Sequence, residues 1–350
     1  VTASLTVIIP AYNEVEGIGE TLAALVTQST PPEAIIVVDD GSTDGTANVA
    51  RGFERVTVLS PGVNLGSKAK AQNFALDHCS TDLVLPVDAD TVLAPDYVEL
   101  IKGPFSDPRT VIAAGCVLTR FQDTLWERAR QMEYLSGFHW FRPVQDHYGA
   151  PLVCSGCCSA FRLDALREFG GFPDRTLVED IDYTWSQQIA GHGAAYVADA
   201  VAYAAEPTSR HFMCAQLNRW KTGYFQNVRQ HGWNMVRRKP MLALWVAISL
   251  VEILLSPLMV ALPVWWMADG GSPLVVAAWM ASSEVLLFGP SLAYAIRKRK
   301  LSVWRVLRCW PSFYILKAFN AYYDFKAIVT ELILVPLRLK KSNLVYVKGH

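Results

Sequence analysis

The chain carries no excess charge of either sign. Its 350 residues hold 32 Lys and Arg against 32 Asp and Glu, and charged residues make up only 18% of it. A zero balance leaves no electrostatic footprint for a polyanion, which excludes a nucleic-acid partner from the expected functions. The opening VTASLTVIIP lacks a basic segment and a long apolar core, and so predicts neither a secretory signal nor a span ahead of the first element. Paired cysteine half-sites are missing too. Seven Cys are scattered along the chain, an odd number that suits a reducing compartment better than a disulfide framework. Cys154, Cys157 and Cys158 have no second half-site at ligand spacing and read as small buried residues beside a loop rather than as structural zinc ligands. Apolar residues are abundant, at 51% with a mean hydropathy of +0.20. They are unevenly spread and suffice for the core of one large or two ordinary domains.

Carboxylates recur at the ends of apolar runs. VVDDGSTDGT ends at Thr46, LPVDAD at Asp90 and LVEDID at Asp182. A rim of unpaired negative charge is costly without a cation, so the pattern points to a metal and a phosphorylated ligand, and hence to an enzyme. Gln216, Arg219 and Trp220 then add a cation and an aromatic before the chain becomes strongly apolar.

Strands over 5–10, 34–38, 56–59 and 82–87 alternate with helices over 13–28, 43–53 and 68–79. This alternation predicts an α/β fold with a mainly parallel sheet flanked by helices, in which ligands collect beyond the strand C-termini, where the acids fall. Residues 111–118 return to the sheet, and 125–141 are helical and aromatic. The Cys-, Ser-, Gly- and Ala-rich stretch 151–161 is backbone packed close to something. A helix over 177–189, a strand over 196–203 and a helix over 216–231 complete a first domain, placed at 1–237.

Residues 241–267 contain Glu252 as their only formal charge, and 274–296 are interrupted only by Glu284. Both runs exceed the roughly 20 residues needed to cross hydrocarbon, predicting a transmembrane helical hairpin over 238–300. The basic brackets 237–239 and 297–300 put both ends, and the catalytic domain, on the cytoplasmic side of a multi-pass cytoplasmic membrane protein. The tail, 301–350, interleaves Trp304, Trp310, Phe313, Tyr314 and Tyr323 with Arg305, Arg308 and Lys317. That pattern predicts an interfacial helix, with a short third crossing over 325–337 left open.

In their order, these segments resemble the nucleotide-sugar-dependent glycosyltransferase family 2, in its membrane-associated, processive-type branch of cellulose, hyaluronan and chitin-oligosaccharide synthases. The resemblance covers about residues 5–220 and implies a GT-A-like domain. It is carried by Pro10, Tyr12, Asn13 and Glu14; by Asp39-Asp40 with the Gly, Ser and Thr that follow; by Asn64 to Ala69; by Asp88-Ala89-Asp90; by Val178-Glu179-Asp180, with Val for Thr; and by the Gln216 to Trp220 motif. It implies that the first loop surrounds the nucleotide base, that Asp40 contacts uracil and that Lys68 and Asp88 serve the nucleotide and diphosphate. It also implies Asp90 as ligand of a divalent cation, Mg or Mn, and Asp180 as general base. Neither an N-terminal span nor a clear gating-loop motif is expected from the sequence, which favours a short or membrane-attached acceptor.

Elementary chemistry agrees with these roles. Asp88 and Asp90 turn inward together around small Ala89 and offer hard oxygen ligands. The acceptor oxygens of Asp40 match the imide N–H of uracil; Asp39 orients the loop or caps the next helix. Lys68 is a mobile point charge for an anion. Asp180 takes the proton of an attacking acceptor hydroxyl, and inversion in a single displacement follows, while Glu179 and Asp182 sit at other angles around the helix. Arg219 offers parallel donors to a departing diphosphate. Trp220, with Gln216 one turn before it, presents a plane to a pyranose, and Ser155 and Gly156 permit close approach of the acceptor. The expected function is a membrane-anchored, metal-dependent inverting glycosyltransferase moving a sugar from a UDP-sugar to a hydroxyl of a glycan, glycoconjugate or glycolipid, with the lipid bilayer as a further partner. Two alternatives stay open: single transfer to a polyprenyl phosphate, and a non-catalytic sugar-nucleotide-binding membrane scaffold.

Overall fold

The computed structural model describes residues 3–344; the expectation for the end of the tail, 345–350, falls outside them. Four strands, β1 (Leu5–Ala11), β2 (Ala34–Asp39), β3 (Val56–Leu59) and β4 (Leu83–Pro86), alternate with helices α1 (Ile18–Val26), α2 (Thr46–Arg51) and α3 (Lys68–Leu76). They pair in parallel in the order β3-β2-β1-β4. The continuous apolar run of β1 is what a strand covered on both faces requires. Val7 and Ile9 enter one core with Leu22 and Leu25 of α1. Ile8, on the opposite face, joins Ala71 and Ala75 of α3.

The second half of the sheet departs from the expected pattern. It contains β5 (Val92–Leu93), α4 (Tyr97–Lys102), β6 (Thr110–Thr119), α5 (Leu125–Ser136), α6 (Arg142–His147), β7 (Ser159–Arg162), α7 (Leu163–Phe169), α8 (Glu179–Ala190) and β8 (Gly193–Ala204). The complete order is β3-β2-β1-β4-β7-β6-β8-β5. Strand β7 runs antiparallel to both β4 and β6, and β5 antiparallel to β8. The sheet is therefore mixed rather than mainly parallel. The two residues of β5 are too few for a pattern to register in the sequence, and β7, Ser-Ala-Phe-Arg, carries no apolar run. The reversal has a use: the N-terminal end of β7 lies beside the C-terminal end of β4, which brings the small-residue loop before Ser159 to the rim where the acids stand.

One capped helix, α9 (Arg210–Arg238), starts where Ser209 accepts a hydrogen bond from Phe212 N–H. After it come α10 (Pro240–Ala268), α11 (Pro273–Arg299), α12 (Val303–Leu307) and α13 (Trp310–Ala327), then a π-helix over Ile328–Leu334. Proline opens α10, α11 and α13 in the first turn, where its missing N–H costs nothing.

These helices correct the expectation of a membrane hairpin. Helices form over both apolar runs, yet among the described residues no helix is long and apolar enough to cross a membrane. Part of each run is spent on the protein itself: Ser249 and Glu252 of α10 and Ser283 of α11 face the central cavity, and α10 carries Pro257 and Pro263 in its interior. The basic bracket at the end of α11, taken as a mark of the cytoplasmic face, is engaged by the sheet domain. Lys298 pairs with Asp199 at 2.9 Å, and Arg299 donates to the Ala198 carbonyl and to His139 Nε2. Nor is the tail an interfacial helix. Helix α13 packs against α5 and α9, burying Phe313, Leu316 and Asp324. In the proposed third crossing Glu331 is fully buried and pairs with Arg229 at 3.3 Å. The multi-pass placement in a cytoplasmic membrane, the membrane anchor and the bilayer as a partner all rested on these segments and are withdrawn with them.

Candidate active site

Two loops at the rim are tied to each other before any ligand arrives. Asn13 takes the left-handed backbone region at φ 53°. Its N–H donates to Ser42 Oγ at 3.0 Å, and its Oδ1 accepts from Thr43 N–H at 2.9 Å. Glu14 N–H donates to Thr46 Oγ1 at 2.8 Å, and Val15 N–H to Asp44 Oδ2 at 3.0 Å. Asp39 Oδ1 accepts from Ser42 N–H at 3.1 Å, bracing the loop itself rather than capping α2. Asp40 sits inside this frame, and its Oδ1 accepts from Leu65 N–H at 2.7 Å. Burial raises its carboxyl above the ordinary aspartate value, the Leu65 hydrogen bond opposes this, and neighbouring Asp39 adds to it.

The centre of the site is a chain of contacts between residues far apart in sequence. Lys68, just after the Ser67 cap of α3, forms an ion pair with Asp88 and donates to the Gly156 carbonyl at 3.2 Å. Gly156 N–H in turn donates to Asp180 Oδ2 at 2.8 Å, while Asp180 Oδ1 accepts from Ile181 N–H at 2.8 Å. Burial pulls the Lys68 ammonium down, but Asp88 and Glu179 outweigh it and hold the group above the ordinary lysine value. Glu179 is raised chiefly by burial, with Lys68 opposing. A Cβ on Gly156 would meet Asp180 Cβ at 3.3 Å and Glu179 Oε1 at 3.4 Å, so the small residue lets both acids close over the loop. The loop is anchored from below, where the buried Tyr97 hydroxyl donates to the Cys158 carbonyl.

The start of α8 is seated by a second close approach. A Cβ on Gly223 of α9 would lie 2.6 Å from Val178 Cγ2, so valine in the Val178-Glu179-Asp180 motif is a packing contact that fixes where the two acids point. Asp182 belongs elsewhere. Fully buried, it accepts from Arg175 through two 2.8 Å bonds and lies 2.7 Å from His231 Nε2. Burial alone would raise it, but Arg175 and His231 hold its carboxyl below the ordinary value.

Asp40, Lys68, Asp88, Gly156, Glu179 and Asp180 line a cavity of about 1180 Å³. Every site residue expected from sequence lines it except Asn13, which acts from outside by joining the two loops. Sequence reasoning set Glu179 aside for its angle on the helix and missed Arg142 and the buried Arg130 with its partners Glu133 and Glu206, all lining the same cavity. Arg142 follows the π-helix Gly137–Phe141 and stacks over Phe138 with its guanidinium carbon 5.1 Å from the ring centre; burial lowers its pKa. The i,i+3 pair Arg130 and Glu133 on α5 was the one available signal.

Known proteins share this architecture. The model of the family "Glycosyl transferase family 2" matches residues 6–170. An N-acetylglucosaminyltransferase of Sinorhizobium fredii is 30% identical over 301 residues, covering 81% of this chain and 71% of the relative. A poly-beta-1,6-N-acetyl-D-glucosamine synthase of Staphylococcus epidermidis is 26% identical over 241 residues, covering 67% of this chain and 58% of the relative. An N-acetylglucosaminyltransferase of Mesorhizobium japonicum is 32% identical, again over 241 residues, with 64% and 56% covered. The chain thus spans little more than half the length of these last two. Among solved structures, a mannosyltransferase from Pyrobaculum calidifontis, in complex with GDP-Man and Mn2+, superposes with a TM-score of 0.65 at 23% identity. That match covers 95% of this chain and 88% of the other, so the shared fold takes in the C-terminal helices. The resemblance to a membrane-spanning, processive-type branch is corrected: it leaned on spans that the described residues do not contain. Family model and relatives agree at the broader level, and the chain belongs to glycosyl transferase family 2, as a family-2 glycosyltransferase.

Proposed function

We propose that the chain transfers a sugar, with inversion, from a UDP-sugar to a hydroxyl of a glycan or glycoconjugate. The observation that carries this reading is the contact chain Asp88–Lys68–Gly156–Asp180, which sets a cation for the donor's phosphates and a base for the acceptor within one hydrogen-bonded unit. In this reading Asp40 Oδ2 accepts from the base, since Oδ1 is engaged by Leu65. Asp180 accepts the acceptor's proton as its oxygen attacks the anomeric carbon. Arg219 and Lys68 hold the diphosphate as it leaves.

Asp90 and Asp88 fit a divalent cation. Among the described residues no cluster of three or more His, Cys, Asp or Glu forms a cage on its own. Mg and Mn sites at nucleotides take one or two carboxylates and complete their shell with phosphate oxygens and water, and the two aspartates lining the cavity match that habit. A bound cation supplies charge neutralisation at the diphosphate.

The cavity exceeds what one sugar nucleotide fills. It continues past Trp220 to Trp279, Tyr314 and Asn320 between the C-terminal helices, offering ring faces and hydrogen-bonding groups to an acceptor glycan. The relatives named as N-acetylglucosaminyltransferases make UDP-N-acetylglucosamine the first donor to test. Purified protein is incubated with this donor, other UDP-sugars and GDP-Man, an oligosaccharide acceptor and Mg or Mn, and products are read by mass spectrometry and anomeric NMR. Inverted product that disappears on chelation is the expected result. No turnover with any UDP-sugar, or a retained anomer, overturns the reading.

A further inference from the structure

The geometry points to Arg130 as the positioning residue for the acceptor side of the site, holding Gln216 and Trp220 in place from a helix some ninety residues earlier in the chain. The inference rests on the proposed transfer to a glycan. Arg130 lies on α5 with its side chain 1% exposed, so it does not itself present donors to a ligand. Nη2 donates to Gln216 Oε1 at 2.7 Å. The guanidinium carbon lies 4.7 Å from the Trp220 ring centre, on the cation–π face. Nη1 pairs with Glu133, and Nε lies 3.3 Å from Glu206 Oε2, at ion-pair distance but without hydrogen-bond alignment. Glu206 is itself 6% exposed and, like Glu133, Gln216 and Trp220, lines the cavity.

A fully buried guanidinium is costly to desolvate and persists only where its partners are fixed. Here two carboxylates set its position from one side, and its remaining faces dictate those of the glutamine and the indole. The planar fork matters. One Arg can donate to an amide oxygen and stack on an indole at once, whereas Lys, as a point charge on a flexible stem, cannot do both in a fixed geometry. Gln216 and Trp220 sit one helical turn apart on α9, so a single contact group governs the angle at which both face the cleft.

The test is a double-mutant cycle read on substrate parameters. Arg130→Met and Arg130→Lys are each combined with Gln216→Leu, and KM is measured separately for acceptor oligosaccharide and donor, with oligosaccharide Kd taken by titration calorimetry. Thermal denaturation selects variants that stay folded; Arg130→Lys keeps the charge should Arg130→Met fail to fold. The inference expects Arg130→Met to raise acceptor KM and Kd about tenfold, the scale of a lost hydrogen bond to a charged group, while donor KM changes less than about twofold. It further expects most of that effect to vanish when Gln216 is already Leu, and Arg130→Lys to restore only part of it. Equal rises in donor and acceptor KM, or strict additivity with Gln216→Leu, would show a merely structural role and overturn it. Absence of oligosaccharide binding and transfer by the native protein would instead sink the functional reading on which it stands.

Discussion

The rim loops after β1, β2 and β4 and the helical wall of α5, α8, α9 and α13 both carry charge, and they hold it differently. At the rim, loop geometry is set largely by backbone N–H groups donating to Asp39, Asp40 and Asp44, so each acid is fixed by neighbours a few residues away or on the next loop. In the wall, side chains hold one another in ion pairs with at least one buried partner: Arg130 with Glu133 and Glu206, Lys221 with Asp324, Asp182 with Arg175 and His231. A site built on loops is adaptable toward a nucleotide. A site built on buried ion pairs is rigid, and loses heavily when one partner is removed.

Four measurements sharpen or break that contrast. The largest effect belongs to the group where the two regions meet. Asp180→Asn keeps the volume of the side chain and one of the two acceptor oxygens that the Gly156 and Ile181 N–H groups use, and is expected to lower transfer by about 10²- to 10⁴-fold with donor affinity retained; a rate near native removes Asp180 from the chemistry. Second comes Glu206 in the wall, which burial pushes up to about 7 against the opposing pull of Arg130, from an ordinary value of 4.5. A carboxyl with a raised folded-state pKa binds its proton more tightly folded than unfolded. Its contribution therefore favours folding at low pH and is lost as pH rises from about 4.5 to about 7. Over that window native protein should lose up to roughly 3 kcal/mol relative to Glu206→Gln, read from denaturant midpoints at stepped pH. Parallel stability curves would mean that Glu206 titrates as an ordinary carboxyl.

Third, Gly223→Ala drives a methyl into Val178. It should cost about 1–3 kcal/mol by overpacking and reduce transfer as well, because Val178 carries the start of α8; lost stability with unchanged turnover would separate packing from base placement. The smallest effect is a control on the exposed rim. Lys70 and Asp174 face each other at 4.0 Å with more than half of each side chain in solvent, and Lys70→Ala should shift stability by less than about 0.5 kcal/mol.

How much was readable beforehand follows the same division. The donor rim was legible because its residues come as short contiguous motifs at the ends of apolar strands, so Asp40, Lys68, Asp88 and Asp90 were found from sequence and all line the cavity. Asn13 was named in the motif, but its left-handed backbone and its bonds to Ser42 and Thr43 are invisible without the second loop. The wall was illegible in proportion to its sequence separation. Gln216 was named in its motif, but Arg130 and Glu206 join it only because distant segments pack around the same cavity, and beyond the i,i+3 pairing of Arg130 with Glu133 nothing local marks them. Strand β5 was missed because two residues cannot display a period, and β7, Ser-Ala-Phe-Arg, because it ends a small-residue stretch and has no apolar run of its own. The apolar runs 241–267 and 274–296 were read correctly as helices and wrongly as spans. Hydropathy counts side chains without showing that Glu252 and Ser249 turn toward a cleft, or that Lys298 and Arg299 are already bonded to the sheet domain.

Both polar contacts made by Gly156 in the central chain run through main-chain atoms, its carbonyl toward Lys68 and its amide toward Asp180. An alanine at Gly156 would therefore report crowding and never the coupling, since no side-chain change at this residue deletes either bond. Only backbone chemistry, such as an ester in place of the amide at this residue, severs the wire between the two half-sites while leaving every side chain in place.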